Sequence, residues 1–202
     1  MNTSDFANYP TGNLCNADPS VRALSPALRP LIEGKTISGP ARTARITPGQ
    51  NAAIHKAVHD CEPGEVLVVE SGGNDRYGPF GDLLAECCMM KGLAGAVLDC
   101  TFRDKKDVAA LGFQVFGRGF HPEATAKIQP GETDAPICVG GVVIHPGDII
   151  VGDDDGVVVI PHAKAASVLV SVKQVAAKEE EIRARIKAGE TTYEIFNLGT
   201  QK

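Results

Sequence analysis

No tryptophan occurs in the 202 residues, and the other aromatics stop at seven Phe and three Tyr. A groove for single-stranded nucleic acid needs stacking rings and a basic stripe. The chain instead carries 20 Lys and Arg against 25 Asp and Glu, a formal charge of −5. Nucleic acid is therefore not an expected partner. No apolar run reaches the roughly 18 residues of a membrane-spanning helix, so no membrane partner is expected either. The opening MNTSDFANYP has neither the basic start nor the apolar core of a secretory leader. Six cysteines, at 15, 61, 87, 88, 100 and 138, form no CxxC pair. Without a leader they read as reduced, packing thiols of a cytoplasmic protein. His55 and His59 lie four apart but outside any HExxH, and read as solvated or packed rather than as zinc ligands.

What is present is enough apolar residue, 43% of the chain, to bury a core in one ordinary domain. Glycine (22) and proline (13) are frequent, so the elements are short and the turns many. Residues 1–34 read as an irregular, Pro-rich extension, with a short helix near Asp18–Leu24. Lys35–Ile46 reads as a strand or hairpin. Thr47-Pro48 has the form of an N-cap followed by Pro at the first helical position, opening a helix to about Cys61. Glu65–Glu70 (EVLVVE) and Ala94–Asp99 (AGAVLD) are near-continuous apolar strands of the kind covered on both faces. Helices follow each of them, from about Asp82 to Lys91 and from Asp104 to Gly112. Short β segments are expected at 113–117, 124–128, 137–144, 148–151 and 156–160, with a β-turn at Asp153-Asp154-Asp155-Gly156. A long helix from about Ala163 to Ala188 stops at Gly189. The expected class is α/β.

Two of these helix starts carry chemistry-bearing side chains. Asp82 opens one helix, and Arg103-Asp104 opens the next, with Asp107 one turn on. Free N–H groups and the positive dipole end make helix starts favourable to anions. A helix of about ten residues advances roughly 15 Å, and a strand of about five returns a similar distance. Asp82 and Arg103 are therefore expected at one edge of the sheet, beyond the carboxyl ends of the strands, where open α/β sheets bind ligands. Carboxylates without Cys or His suit a hard divalent ion, Mg²⁺ or Mn²⁺. A forked guanidinium suits a substrate carboxylate. The simpler alternative makes Asp82 and Asp104 helix N-caps and Arg103 their surface partner.

The pattern Asp82-x20-Arg103-Asp104-x2-Asp107 resembles the signature of the RraA-like family. That family contains class II 4-hydroxy-4-methyl-2-oxoglutarate/4-carboxy-4-hydroxy-2-oxoadipate aldolases and regulators of ribonuclease E activity. Collinear stretches strengthen the resemblance: Gly92–Asp99, Gly112–Phe116, Gly140–Asp148 and Gly152–Pro161. It implies a compact β/β/α layered domain of swivelling type over 35–162. Residues 163–202, the C-terminal helix and tail, would pack on the same domain or on a neighbour. It further implies a homotrimer or hexamer with sites between subunits. Backbone amides of Gly81, Asp82, Leu83 and Leu84 would hold the substrate, and Arg103 its carboxylate and keto oxygen. Asp104 would hold the divalent metal, with Asp107 supporting its water shell. An acidic side chain from the neighbour's C-terminal helix, Glu179, Glu180 or Glu181, would complete the site. Cys100-Thr101-Phe102 departs from the small residues usual there and bears on the pocket rather than the metal.

The residues suit cleavage of 4-hydroxy-2-oxo acids to pyruvate and a second oxo acid, with decarboxylation of oxaloacetate as a further activity. Both reactions leave a pyruvate enolate, which a Lewis acid and a fixed cation stabilise. Asp82 acting through a water is the candidate base for the C4 hydroxyl. A Schiff-base route would need a desolvated lysine, whereas Lys91, Lys105 and Lys106 read as exposed. Cys88 or Cys100 as a nucleophile would need a partner histidine. The other family branch implies a rival class, a non-catalytic inhibitor of an RNA-processing endonuclease.

Overall fold

The computed structural model of the protein describes residues 2–199; the last residues of the expected tail, 200–202, lie outside the described residues. After a 3₁₀ turn at Thr3–Asn8 come α1 (Thr11–Ala17), β1 (Arg22–Ala23), β2 (Arg29–Pro30) and β3 (Ile37–Arg45). Then follow α2 (Ala52–Asp60), β4 (Val66–Asn74), α3 (Asp82–Met90), β5 (Gly95–Cys100), α4 (Lys105–Leu111) and β6 (Val115–Gly117). Short strands β7 (Glu132–Thr133), β8 (Ile137–Val139), β9 (Val142–Ile144), β10 (Ile149–Asp153) and β11 (Gly156–Ile160) lead to α5 (Ala165–Lys187) and α6 (Thr192–Ile195). The main sheet runs β1-β11-β10-β3-β4-β5-β6-β2, with β7 attached to β3. The centre β3-β4-β5-β6 is parallel, and β10, β11 and the edge strands are antiparallel.

The strand alternation explains the layers. On β4, Leu67 and Val69 face one core with Ala53, Ile54 and Ala57 of α2, Leu84, Ala85 and Cys88 of α3, and Val108 of α4. Val66 and Val68 face the opposite core with Phe116, Ile137, Val139 and Ile144, where the β8–β9 hairpin forms the second β layer. A third cluster seats Phe6, Leu14, Ala165, Val168 and Val172 on Ile149, Val151, Val158 and Ile160. The expected α/β class with helices on one face, a β layer on the other and a long C-terminal helix is the fold observed. Among the described residues no helix is long and apolar enough to cross a membrane.

Residues 2–34 hold a 3₁₀ turn, α1, β1 and β2 and pack into the domain, more order than the irregular extension expected. Phe6 and Leu14 are fully buried. Thr11 anchors α1 by donating from its N–H (2.8 Å) and hydroxyl (2.7 Å) to the Asp153 carboxylate. Fully buried Gln114 holds the stretch before β3, accepting from the Ile32 N–H at 3.0 Å and donating to the Ile32 and Lys35 carbonyls at 2.7 Å each. The helix expected near Asp18–Leu24 is instead a turn followed by β1, which pairs with β11.

Two further boundaries move. α2 starts at Ala52 behind Asn51, not at Thr47, because Gly49 turns the chain at φ +83°. Residues 124–128 form no strand; a single bridge joins Ala126 to Gln50. The turn between β10 and β11 is a two-residue connection, with Asp153 opposite Gly156, as the sequence led us to expect.

Candidate functional site

The β4-α3-β5-α4 path returns the chain to one sheet edge, where residues from separate turns meet. The Arg103 N–H donates to the Phe80 carbonyl at 2.9 Å, tying the turn after β5 to the loop before α3. Thr101 strengthens this tie through its hydroxyl, which donates to the Tyr77 carbonyl at 2.8 Å. Beneath it, the nearly buried Asp99 carboxylate accepts from Arg118 Nε at 2.7 Å, clamping the end of β5 to the chain leaving β6. A cleft of about 120 Å³ opens at this edge. Gly81, Asp82, Leu83, Leu84 and Arg103 line it from one side, and Asn51, His55, Thr125 and Lys127 complete it.

Asp104 sits at the N-cap position of α4 in the left-handed region, φ 57° and ψ 40°, and its side chain makes no capping bond. Such backbone costs a non-glycine residue about 1 kcal/mol, less for Asp than for most. The conformation sends the carboxylate away from α4 and towards α3. There Asp104 Oδ2 lies 3.2 Å from Arg103 Nε and accepts a long bond, 3.4 Å, from the Asp82 N–H. Gly81 is the N-cap of α3. A Cβ at Gly81 would collide with Asp104 Oδ2 and lie 3.1 Å from Arg103 Cγ, so glycine is what lets the two turns close on each other. Gly78 is equally confined, by the His121 carbonyl and Arg103 Cβ.

Of the simpler alternative, the Arg103–Asp104 ion pair forms at 3.2 Å but the two side-chain caps do not. Asp82 is the first residue of α3 rather than its cap, and its Oδ1 accepts from the Leu83 N–H at 2.8 Å. Two of the expected anion-binding amides, those of Asp82 and Leu83, are thus occupied by carboxylates of the chain itself. These carboxylates mark where an incoming anion would compete. Asp107 is exposed on α4 and is not part of the cleft wall. Glu179 pairs with Arg183 (3.6 Å) and accepts from Asn13 Nδ2 (3.2 Å), and Glu180 pairs with Arg183 (3.2 Å). Glu179 therefore lies against α1, and none of the three glutamates lines the cleft of its own chain.

Cys88 and Cys100 are buried, and desolvation raises both thiols, Cys100 to about 12. Neither is a nucleophile in this state. Sequence reasoning set His55 aside and gave Asn51 and Lys127 no role. The available signal was the four-residue spacing of Asn51 and His55, which puts them on one helix face.

Fold and cleft together define an α/β protein whose sheet edge carries Arg103, the left-handed turn at Asp104 and the start of α3. The chain belongs to the RraA-like family, described as Aldolase/RraA, whose model matches residues 11–159. A protein of Halalkalibacterium halodurans, provisionally named 4-hydroxy-4-methyl-2-oxoglutarate aldolase, is 37% identical over 177 residues, 88% of this chain and 84% of its own. The solved structure of Streptomyces coelicolor RraAS2, described as an unusual member of the RNase ES inhibitor RraA family, superposes with a TM-score of 0.82. It is 30% identical and covers 91% of this chain and 96% of its own. The RNA-processing inhibitor RraA from Thermus thermophilis gives a TM-score of 0.70 at 30% identity, covering 75% of this chain and 92% of its own.

Proposed function

We propose that the protein is a divalent-metal-dependent lyase that cleaves 4-hydroxy-2-oxo acids of the 4-hydroxy-4-methyl-2-oxoglutarate type to pyruvate and a second oxo acid, and that also decarboxylates oxaloacetate. One observation carries this reading: the left-handed turn at Asp104 aims a carboxylate past its own helix, beside Arg103, at the glycine-capped start of α3. A side-chain N-cap requires neither the left-handed backbone nor the glycine contact.

The donor set fits Mg²⁺ or Mn²⁺. Among the described residues no group of three or more His, Cys, Asp or Glu side chains is arranged to hold a metal. Mg²⁺ commonly needs only one or two carboxylates, with waters and substrate filling the remaining positions. Asp104 would hold the ion through Oδ1, which has no hydrogen-bond partner among the described residues, and Asp107 would support its water shell. Bound there, the ion supplies Lewis-acid stabilisation of negative charge on the 2-oxo oxygen.

The chain's own groups do the rest. Arg103 binds the 2-oxo acid's carboxylate and presents fixed positive charge where the enolate forms. The Leu84 N–H, joined by the Asp82 and Leu83 amides once the substrate displaces the carboxylates they now hold, orients the substrate carboxylate at the start of α3 beside Gly81. Asp82 Oδ2 takes the C4 hydroxyl proton through a water as the C3–C4 bond breaks. The six unpaired thiols support a reducing, cytoplasmic setting. Exposed Leu83 and Ile128 beside the cleft and Met90 at the far end of α3, together with a distal α5 that buries no side chain beyond Val172, support a homotrimer or hexamer with sites between subunits. In such an assembly Glu179, Glu180 or Glu181 would reach a neighbour's site.

The test is pyruvate release from 4-hydroxy-4-methyl-2-oxoglutarate and from oxaloacetate, with Mg²⁺ and with a chelator. Turnover that the chelator abolishes and that Arg103→Ala and Asp104→Ala each reduce at least about a hundredfold is expected. Absence of metal-dependent turnover refutes the reading. Binding to an endonuclease that survives both substitutions would favour the regulator branch.

A further inference from the structure

A second pocket, of about 280 Å³, shares no lining residue with the cleft. Three cations border it from separate elements: Arg29 on β2, Lys105 at the first position of α4, and Arg118 just after β6. Pairing of β2 with β6 sets Arg29 opposite Gly117, next to Arg118 in the chain. The residues after β6 are tied in turn to the β5–α4 turn. The Arg118 N–H donates to the Cys100 carbonyl at 2.9 Å, and the Phe102 N–H donates to the Gly119 carbonyl at 3.0 Å. The His121 N–H donates to the Phe102 carbonyl at 2.9 Å. Backbone pairing thus brings the three cations to one place.

Their charge is largely uncompensated. No acidic side chain lines the pocket. Arg118 engages one carboxylate, that of the nearly buried Asp99, and does so through Nε alone at 2.7 Å. Its terminal nitrogens have no hydrogen-bond partner among the described residues, and neither Arg29 nor Lys105 has an acidic partner there. Lys105 Nζ instead rests over the Phe120 ring, 4.7 Å from the centroid. Three cations against one carboxylate leave two positive charges unpaired in a chain whose formal charge is −5. Like charges held around one pocket repel, and an anion that pairs them removes that cost. Phe120 is already engaged by Lys105 and by Phe102, at 4.8 Å between centroids and 64° between planes. The pocket therefore offers charge rather than a stacking platform for a base.

We propose that this pocket binds a small aliphatic polycarboxylate, at a site separate from the cleft and independent of the lyase reading. Cations on three elements around a pocket of this width suit several carboxylates spaced along a short chain better than one compact anion. Arg29 and the free end of Arg118 present forked donors to two of them. Lys105 leaves the Phe120 ring to pair with a third. The pocket borders both chain neighbours of the Arg103–Asp104 pair, Phe102 and Lys105, while the cleft stays open to its own ligand.

The test is calorimetric titration at low ionic strength with tricarballylate, a tricarboxylate that lacks the 2-oxo group. It is run on the full chain and on Arg29→Met, Lys105→Met, Lys105→Arg, Arg103→Ala and Lys127→Met, each checked by thermal melt. One-to-one binding should weaken about tenfold or more in Arg29→Met and in Lys105→Met, as for a lost charge-assisted bond. Lys105→Arg should stay within about threefold of wild type, as should Arg103→Ala and Lys127→Met, which alter only the cleft. Sulfate, a compact dianion, should bind about tenfold more weakly than tricarballylate. A wild-type Kd weaker than about 1 mM overturns the site. A loss that follows Arg103→Ala or Lys127→Met instead places the ligand in the cleft and overturns it too. Sulfate binding as tightly as tricarballylate overturns the polycarboxylate class. Failure of wild type to bind, with Arg29→Met and Lys105→Met each dissociating an oligomer in light scattering, overturns the site and assigns its cations to a second copy of the chain.

Discussion

Gly81→Ala isolates the closure of the two turns from every other feature of the site. Gly81 has extended backbone, φ −148° and ψ −165°, which alanine adopts without strain. The whole effect of the added methyl is therefore steric. It lands inside contact distance of Asp104 Oδ2, 3.1 Å from Arg103 Cγ and 3.2 Å from Arg103 Nε. Asp104 is partly exposed and has room to rotate, so the cost in stability lies at the low end for overpacking, about 1 kcal/mol. That corresponds to a fall in Tm of about 2–4 °C for a chain of this size. The carboxylate and guanidinium must each retreat, the former by about 1 Å, and a displacement of that size costs about a hundredfold in rate, near 2.7 kcal/mol of transition-state stabilisation. The assay is pyruvate release coupled to lactate dehydrogenase, at saturating Mg²⁺, beside a thermal melt. Gly78→Ala is the contrasting variant. Its methyl meets the His121 backbone carbonyl, which has no comparable freedom, so it should lose fold as well as activity. A Gly81→Ala protein with wild-type kcat/KM would show that the proximity of Asp104 and Arg103 to α3 has no part in the chemistry.

Two further variants separate architecture from chemistry. Asp104→Gly removes the carboxylate from a left-handed position that glycine prefers; stability should stay within about 1 kcal/mol of wild type while metal-dependent turnover drops at least about a hundredfold, read by thermal melt and coupled assay. Retained turnover would take Asp104 out of the site. Phe6→Ala empties a fully buried position in the cluster beneath α5 and should cost about 3–5 kcal/mol, close to 10 °C in Tm; a Tm shift below about 2 °C would show that the N-terminal segment is not part of the core.

The parallel centre of the sheet was legible because its strands are long, apolar on both faces and separated by helices with clear stops, as at Gly92 and Gly112. Those features also brought Asp82 and Arg103 to one edge by simple counting of rise per residue. The N-terminal 34 residues were not legible. Their strands are two residues long and show no periodicity, and the groups that hold them lie far away in sequence: Asp153 for Thr11 and Gln114 for Ile32. The start of α2 was misplaced because a plausible Thr-Pro cap was outweighed by the positive φ of Gly49 and by the bridge from Gln50 to Ala126. That bridge also hid the second wall of the cleft. Lys127 comes beside His55 through a contact more than 70 residues apart in sequence, which no local pattern announces. The left-handed turn at Asp104 was equally silent, since Asp before a helix ordinarily reads as a cap.

Strand β3 has a consequence for how the protein is made. Its first half, Ile37–Pro40, pairs with β10, and its second half, Ala41–Arg45, pairs with β4. On the ribosome the second half finds its partner within some thirty residues of synthesis, whereas the first waits until residues 149–152 have emerged. For that interval the nascent chain holds an assembled parallel centre beside an open strand edge, the kind of surface that recruits a second chain. Slow translation between residues 117 and 149 should therefore penalise yield more than slow translation after residue 160.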